Sequence, residues 1–520
     1  MSDATVRSYY DRVPYPSGSI PSSHLDNLAV RALLFGLEPP GLRRARVLEL
    51  GCADGGNLVP MAAEIPEGRL LGIDLSPRQI EDGRERLKAL GIGNVELRAT
   101  SILDVDASLG EFDYIIVHGV FSWVGPAIQD AILRICRENL APRGVAYVSY
   151  NAYPGWHQRD MVREMMLYHT RGIGDPYERS ERCLDLLGFV AEAAKGDELH
   201  ARFLQARFEH LSGYRDRPTY LLHEYLEESN NPLYFHRFME MAGRHGLQYI
   251  ADADIDLAEI ESLPPAVGNR LRASARDRIE LEQLLDFIFN RTFRRSLLCR
   301  EGIPLELAMV PERMRRLHAA SSVKPDAESP DVRSSVGVTF RGERDRTFTV
   351  NHPPTKAILV ALSEAWPRPL AFEDLRARAG DLLGTEVEEE LAADILFSLY
   401  AGGFLVLHLL PPVCTERISE RPAATLLARR EAALSPFVTN QRRHVLKLDD
   451  DLARAVLLRL DGAHDRAALR EVLAKEVREG RLGIAKDGEP ISDPDELARM
   501  LDALVDQTLR KMSGLALLVA

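Results

Sequence analysis

Cysteine is scarce: five in 520 residues, at Cys52, Cys136, Cys183, Cys299 and Cys414, with no CxxC pair. That excludes a disulfide-framed scaffold and speaks against a structural zinc module. No run approaches the roughly 18 consecutive apolar residues that span a bilayer, so no membrane insertion is expected. The opening MSDATVRSYY lacks the apolar stretch of a secretory signal, and the expectation is a cytoplasmic chain. Positive charge is in deficit. Lys and Arg total 65 against 78 Asp and Glu, a net charge of -13. Such a balance is wrong for a protein that coats nucleic acid through phosphate contacts, so no nucleic acid is expected. The remainder is ordinary for large cores, 45% hydrophobic and 28% charged. At about 150 residues per domain the length allows three or four domains.

Order along the chain comes from the alternation of apolar runs and helical periods. Residues 1–40 carry aromatic and proline punctuation, then a helix with Leu25, Leu28, Ala32 and Leu33 on one face, which Ser22 or Ser23 is placed to cap. From Ala45 the rhythm is strand and helix: ARVLELG, a helix from Asn57 to Glu64, RLLGIDL, SPRQIEDGRERLKAL, NVELRATSI, FDYIIVHGV, AIQDAILRICREN, GVAYVSYN. That pattern predicts a parallel, doubly wound sheet. A helical insertion over 157–218 follows, then a helix and the strand QYIADADI, a second helical insertion over 257–292, and a last strand RRSLLCR. The expected first domain is therefore 1–310, a Rossmann-like seven-stranded sheet with helical insertions. Residues 311–336 are charged and Ser/Pro-rich and read as a linker. Two smaller, mainly helical, winged-helix-like modules are expected at 337–412 and 413–520, from the shared Glu-Leu-Ala helix start and β-prone ending of each.

The strongest chemical signal is the first strand–helix turn, Glu49-Leu50-Gly51-Cys52-Ala53-Asp54-Gly55-Gly56-Asn57. Glycines there let backbone turn sharply and approach a ligand. The loop fits a dinucleotide GxGxxG with one glycine lost, and equally the ExGxGxG loop of S-adenosylmethionine (SAM) methyltransferases. Glu49 favours the second, because a carboxylate is awkward beside a pyrophosphate and suits an ammonium. Asp74, ending the second strand, is placed to accept ribose hydroxyls in either case. Leu75 and a helix-capping Ser76 follow it, and Ser101 and Ile102 end the third strand where an adenine would lie. His118 and Gly119 border the same edge. The cofactor expected is SAM.

Two further segments lie at strand carboxyl ends, His118-Gly119-Val120-Phe121-Ser122-Trp123-Val124 and Tyr150-Asn151-Ala152-Tyr153-Pro154-Gly155-Trp156. With YDRVPYPSGSIPSSHLDNLA and HEYLEESNNPLYFHRFMEMA, they resemble the bacterial methyltransferases that carry a methyltransferase regulatory domain, including the rickettsial outer-membrane-protein lysine methyltransferases. The resemblance covers most of residues 5–300, with the regulatory-type segment at about 215–300. It implies a class I methyltransferase fold, a protein substrate and a possible homodimer. Aromatic faces hold an ammonium by cation–π attraction and a dry cleft favours the neutral amine. The expected cleft lining is Phe121, Trp123, Tyr150, Asn151, Tyr153 and Trp156, with His118, Trp123 and Tyr153 as candidate catalytic groups and His118 as a possible base. Tyr9, Tyr10 and Tyr15 are candidate lid residues. A small metabolite or envelope precursor as acceptor, or a SAM-binding scaffold without turnover, are the rival readings. His223, Glu224, Glu227, His236 and His245 match no metal-ligand spacing, so no metal is expected. Arg291, Arg294 and Arg295 read as a solvated face beside the last strand.

Overall fold

The computed structural model describes residues 17–519 except 195–197, 255–262, 307, 343–344, 416, 487–488 and 491–492. The lid candidates Tyr9, Tyr10 and Tyr15 lie outside the described residues. Helix α1 (Leu25–Leu34) precedes the α/β unit: β1 (Arg46–Leu50), α2 (Leu58–Glu64), β2 (Arg69–Asp74), α3 (Pro77–Leu90), β3 (Val95–Ala99), β4 (Phe112–Val117), α4 (Pro126–Glu138) and β5 (Leu140–Asn151). Four insertion helices follow, α5 (Gly155–His169), α6 (Pro176–Ala193), α7 (Glu198–Ser212) and α8 (Pro218–Tyr225). Then come α9 (Phe235–Arg244), β6 (Leu247–Asp252), α10 (Pro265–Ser274), α11 (Arg278–Phe289) and β7 (Phe293–Arg300). The seven strands run β3-β2-β1-β4-β5-β7-β6. The first five strands pair in parallel, and β7 slots antiparallel between β5 and β6. The doubly wound parallel strands are those expected from the alternation, and the seven-stranded order with an antiparallel last strand is the Rossmann-like class I methyltransferase sheet that the resemblance implied. Central strands are buried on both faces, which is why they read as continuous apolar runs.

Helix α1 is capped differently from expectation. His24 Nδ1 accepts the Asp26 N–H at 3.2 Å. Ser22 and Ser23 lie in a preceding 3-10 turn, where the Ser23 hydroxyl donates to the Ile20 carbonyl at 3.0 Å and reaches Asn57. The arginine run is also corrected. Arg294 is only 1% exposed, ion-paired to Asp252 (3.0 Å), Glu282 (3.0 Å) and Asp286 (2.8 Å), and lies over the Phe235 ring. A guanidinium can be buried there because three carboxylates surround it.

The expected linker carries structure. A 3-10 turn at Pro311–Arg316 leads into β8 (His318–Ala320) and β9 (Lys324–Pro325), and Met314, Leu317, Ala319 and Val323 are buried. β9 joins β10 (Val338–Arg341) and β11 (Thr347–Val350). After α12 (Pro353–Ala365), β12 (Leu370–Ala371), α13 (Phe372–Leu383), α14 (Glu389–Ala401) and β13 (Val406–His408), the small sheet β12-β8-β13 has β8 at its centre. The first C-terminal module therefore takes its central strand from the segment read as a linker. Its apolar residues, such as Leu359, Leu362 and Phe372, belong to one continuous cluster with Leu25, Leu28, Val47 and Tyr114. The second module holds α15 (Leu426–Leu434), β14 (Phe437–Thr439), β15 (Val445–Lys447), α16 (Asp451–Leu457), α17 (Arg466–Arg478) and α18 (Pro494–Gly514), around a core of its own. Among the described residues no helix is long and apolar enough to cross a membrane.

Candidate active site

The turn after β1 is built from left-handed backbone. Gly51 has φ +72° and Gly55 +76°. A methyl group on Gly51 would lie 2.3 Å from Val120 Cγ2, so the turn admits no side chain there. Ala53 also has positive φ, +51°, a conformation that costs a residue with Cβ roughly 1–2 kcal/mol. Its N–H donates to Asp74 Oδ2 at 2.9 Å, while Asp74 Oδ1 accepts the Ser76 N–H at 2.9 Å. Ser76 in turn accepts the Gln79 N–H at 3.2 Å and caps α3. Asp74 thus orients both the loop and the next helix, besides offering a half-buried carboxylate at the strand end. Asp54 accepts the Gly56 N–H at 3.0 Å and pairs with Arg86 at 3.2 Å. Cys52 is buried, its thiol pushed up by burial and reaching the Ala53 carbonyl of the turn at 3.6 Å.

Glu49 lies one strand position inside the loop and is buried. Burial, reinforced by the Asp74 and Asp54 charges, pushes its carboxyl up to about 8 despite a 2.7 Å hydrogen bond from Asn57 Nδ2. Glu49 Oε2 is buried with no hydrogen-bond partner among the described residues. A buried carboxylate oxygen without a donor fits an incoming ammonium. Leu75, Ser101 and Ile102 are half-buried at the ends of β2 and β3. Gly119 is exposed at φ +67°, its N–H donates to Ser149 Oγ at 2.8 Å, and no atom lies within 4 Å of where a Cβ would stand. The unpartnered carboxylate, a bare glycine turn and an acid on the neighbouring strand together fit the amino-acid and ribose parts of SAM.

His118 is half-buried, and its Nδ1 lies 2.7 Å from the Tyr147 hydroxyl. Burial, with Arg295 nearby, draws it down to about 3. Its imidazole is therefore neutral at pH 7.

The aromatic residues separate into core and surface. Phe121 and Trp156 are 0% exposed and Tyr150 is 1% exposed. Tyr150 stacks on Phe238 at 4.2 Å, and Phe121 meets the same ring edge-on at 5.4 Å. Trp156 packs edge-on against Trp123 at 6.1 Å. These three support the cleft from within and do not line it, a correction that follows from their own burial: Tyr150 on β5, Phe121 in the 3-10 turn Phe121–Trp123 and Trp156 in α5. Trp123 and Tyr153 are half-buried and reach the surface. Tyr153 stacks on His157 (4.0 Å) and tilts towards Tyr234 (5.4 Å), which tilts towards the half-exposed Phe287 (5.8 Å). The Tyr153 hydroxyl donates to Asp160 Oδ2 at 2.9 Å, and Asn230 Nδ2 reaches Asp160 Oδ1 at 3.4 Å. Asn151, itself buried, donates to Asn230 Oδ1 at 2.9 Å. Burial and the bond to Asp160 push the Tyr153 phenol up, so it stays protonated. Asn231 docks this segment, its N–H donating to the Ser122 carbonyl at 2.7 Å. His157, Asp160, Asn230, Tyr234 and Phe287 were not among the expected site residues. Asn230 and Tyr234 lie in the HEYLEESNNPLYFHRFMEMA segment, whereas nothing in the sequence sets His157, Asp160 and Phe287 apart from other residues of their helices.

Known proteins resemble this chain along its length. Residues 48–146 match a methyltransferase domain, 217–300 the predicted methyltransferase regulatory domain, and 420–517 the PKMT C-terminal winged helix domain. An uncharacterized protein of Rickettsia prowazekii is 32% identical over 525 residues, covering 98% of this chain and 93% of its own. The structure of PKMT2 from Rickettsia typhi matches with a TM-score of 0.87 at 30% identity, covering 97% of this chain and 100% of that one. Its complex with AdoHcy matches with a TM-score of 0.87 at 31% identity, covering 98% and 100%.

Proposed function

This chain belongs to the SAM-dependent class I methyltransferases that carry a regulatory domain and a PKMT-type winged helix, and we propose that its methyl acceptor is the ε-amine of a lysine in a protein substrate. The observation that carries this reading is the open aromatic shelf of Tyr153, His157, Tyr234 and Phe287 beside the Asp160 carboxylate. Small-molecule sites enclose about 70–90% of their ligand, whereas this shelf lies at the surface with Phe287 50% exposed. A side chain presented from a larger body suits it better. The resemblance of the flanking motifs to rickettsial lysine methyltransferases supports the same acceptor.

When bound, SAM supplies a methyl group on a sulfonium, ready for transfer to a nucleophile. Glu49 Oε2 would hold its ammonium, Asp74 its ribose hydroxyls, and the Gly51–Gly55 backbone would lie against it. Asp160 attracts the acceptor ammonium, and the rings of Tyr153, His157 and Tyr234 hold it by cation–π contact, worth roughly 0.5–2 kcal/mol. The amine must be neutral to attack. Its proton leaves to water before transfer, and the Asp160 carboxylate and the rings act by holding the side chain in place. The remaining task is alignment at about 3–3.5 Å.

The test uses methyl-labelled SAM, the purified protein, bacterial lysate and an Asp74→Ala control. Label recovered as N-methyl-lysine from acid-hydrolysed protein, and lost in the control, is expected. Label confined to small molecules, or on another residue type, refutes the proposal.

A further inference from the structure

Segment 17–23 crosses the glycine loop as a strap. The Ser17 hydroxyl accepts the Gly56 N–H at 2.8 Å. The Ile20 N–H donates to Asn57 Oδ1 at 2.9 Å, and Asn57 Nδ2 reaches Ser23 Oγ at 3.0 Å. Both ends of the Asn57 amide are therefore set by the strap, and Asn57 sets Glu49. The approach is close: a Cβ on Gly56 would lie 2.3 Å from Ser17 Oγ and 2.9 Å from the Gly18 nitrogen.

The other side of the strap rests on the C-terminal module. The Ser19 hydroxyl donates to the carbonyl of Arg443, a buried residue between β14 and β15, at 2.7 Å. The Arg443 guanidinium donates to Asp26 Oδ2 and to Glu64 Oε1, each at 3.0 Å. Asp26 is fully buried and also accepts His408 Nδ1 at 2.8 Å and the N–H groups of Leu409 (2.8 Å) and Leu410 (2.7 Å). One carboxylate thus gathers α1 and both C-terminal modules, and the same guanidinium clamps α2 through Glu64. A second arm runs in parallel. Arg86 of α3 pairs with loop residue Asp54 at 3.2 Å and lies 3.9 Å from Glu431 of α15.

We propose that the C-terminal winged-helix module forms the outer support of the cofactor loop, with Arg443 as the positioning residue that holds the strap on Gly56 and Asn57. Only a planar fork reaches two carboxylates on two helices while its own carbonyl holds Ser19, and a lysine ammonium makes fewer of these bonds. Losing the fork frees the strap, Asn57 loses its two fixed partners, and Glu49 is no longer aimed. Because the module has its own core, loss of the clamp leaves the module folded.

This inference rests on the assignment of loop 51–57 to SAM, and the experiment separates the two. AdoHcy affinity is measured by calorimetry on the full chain, with hydrogen exchange of peptides covering 17–23 and 54–60 in ligand-free protein. Arg443→Met should weaken AdoHcy binding about tenfold or more and speed exchange in both peptides, with Arg443→Lys intermediate. Ser17→Ala should weaken binding several-fold alone and add nothing in the Arg443→Met background, since both act through the strap. Val456→Ala, which thins the module's core, should lower the melting temperature and leave affinity unchanged. Affinity within about twofold of wild type in Arg443→Met, or an equal loss in Val456→Ala, overturns the proposal. Should Arg443→Met aggregate, Arg443→Lys and Ser17→Ala decide by the same criteria. If Asp74→Ala leaves affinity intact, the loop assignment fails; if Asp74→Ala weakens it and Arg443→Lys and Arg443→Met do not, only the strap inference fails.

Discussion

Replacing Glu49 by glutamine should abolish the pH dependence of cofactor affinity more than the affinity itself. With its carboxyl at about 8 before ligand binds, roughly ten of eleven molecules carry the acid form at pH 7. An ammonium needs the carboxylate, so each ligand bound at pH 7 should expel about 0.9 proton, and apparent affinity should rise about ninefold from pH 6 to 7. Glutamine loses a charge-assisted hydrogen bond worth roughly 1.5–3 kcal/mol but escapes the ionisation cost of about 1.4 kcal/mol at pH 7. The net loss is then at most about 15-fold, and the slope disappears. The stability sign runs the other way from a paired carboxylate. Glu49's folded value lies above its unfolded value near 4.3, so its contribution is full below that pH and is lost as pH rises through about 8. Glu49→Gln should therefore gain on wild type in ligand-free stability towards pH 8. Titration calorimetry in two buffers of different ionisation enthalpy, at pH 6, 6.5 and 7, measures the proton release. No release in wild type, or an unchanged slope in Glu49→Gln, refutes the reasoning.

Three further outcomes are expected. Asp74→Ala removes the acceptor for two backbone N–H groups as well as the strand-end carboxylate, and should weaken AdoHcy binding at least about tenfold by calorimetry. Tyr153→Phe deletes the bond to Asp160 and keeps the ring, so kcat/KM for the protein acceptor should fall several-fold while AdoHcy affinity stays put; equal losses in both would place Tyr153 at the cofactor. Phe121→Ala leaves a void beside Phe238 and should cost about 3–5 kcal/mol of stability in urea titration, and a catalytic defect at full stability would contradict its assignment to the core.

The α/β unit was legible because its strands are buried on both faces and separated by amphipathic helices. Runs such as ARVLELG and FDYIIVHGV therefore carry the sheet in their composition, and the glycine turn is a local matter of φ. What was not legible depends on partners far along the chain. β8 has three residues and no period, so a charged Ser/Pro-rich stretch concealed the central strand of a module. Arg294 read as solvated because the carboxylates that bury it come from β6 and α11. Asp160, Asn230 and Tyr234 converge on Tyr153 only after the helical insertion folds back. Tyr150 and Trp156 look like site aromatics in a motif, and only packing distinguishes them from Tyr153.

The single apolar cluster shared by α1, one face of the large sheet and the first C-terminal module has a consequence for synthesis. Asp26 and His408, which bond in the finished protein, are 382 residues apart. At about 5–20 residues per second, a ribosome that has made α1 needs about 20–80 s more to deliver its last neighbours. During that interval the part of this cluster that α1 and the sheet turn towards the first C-terminal module has no cover, and a folded amino-terminal half would show water that greasy surface. That surface is therefore expected to be buried only near the end of translation.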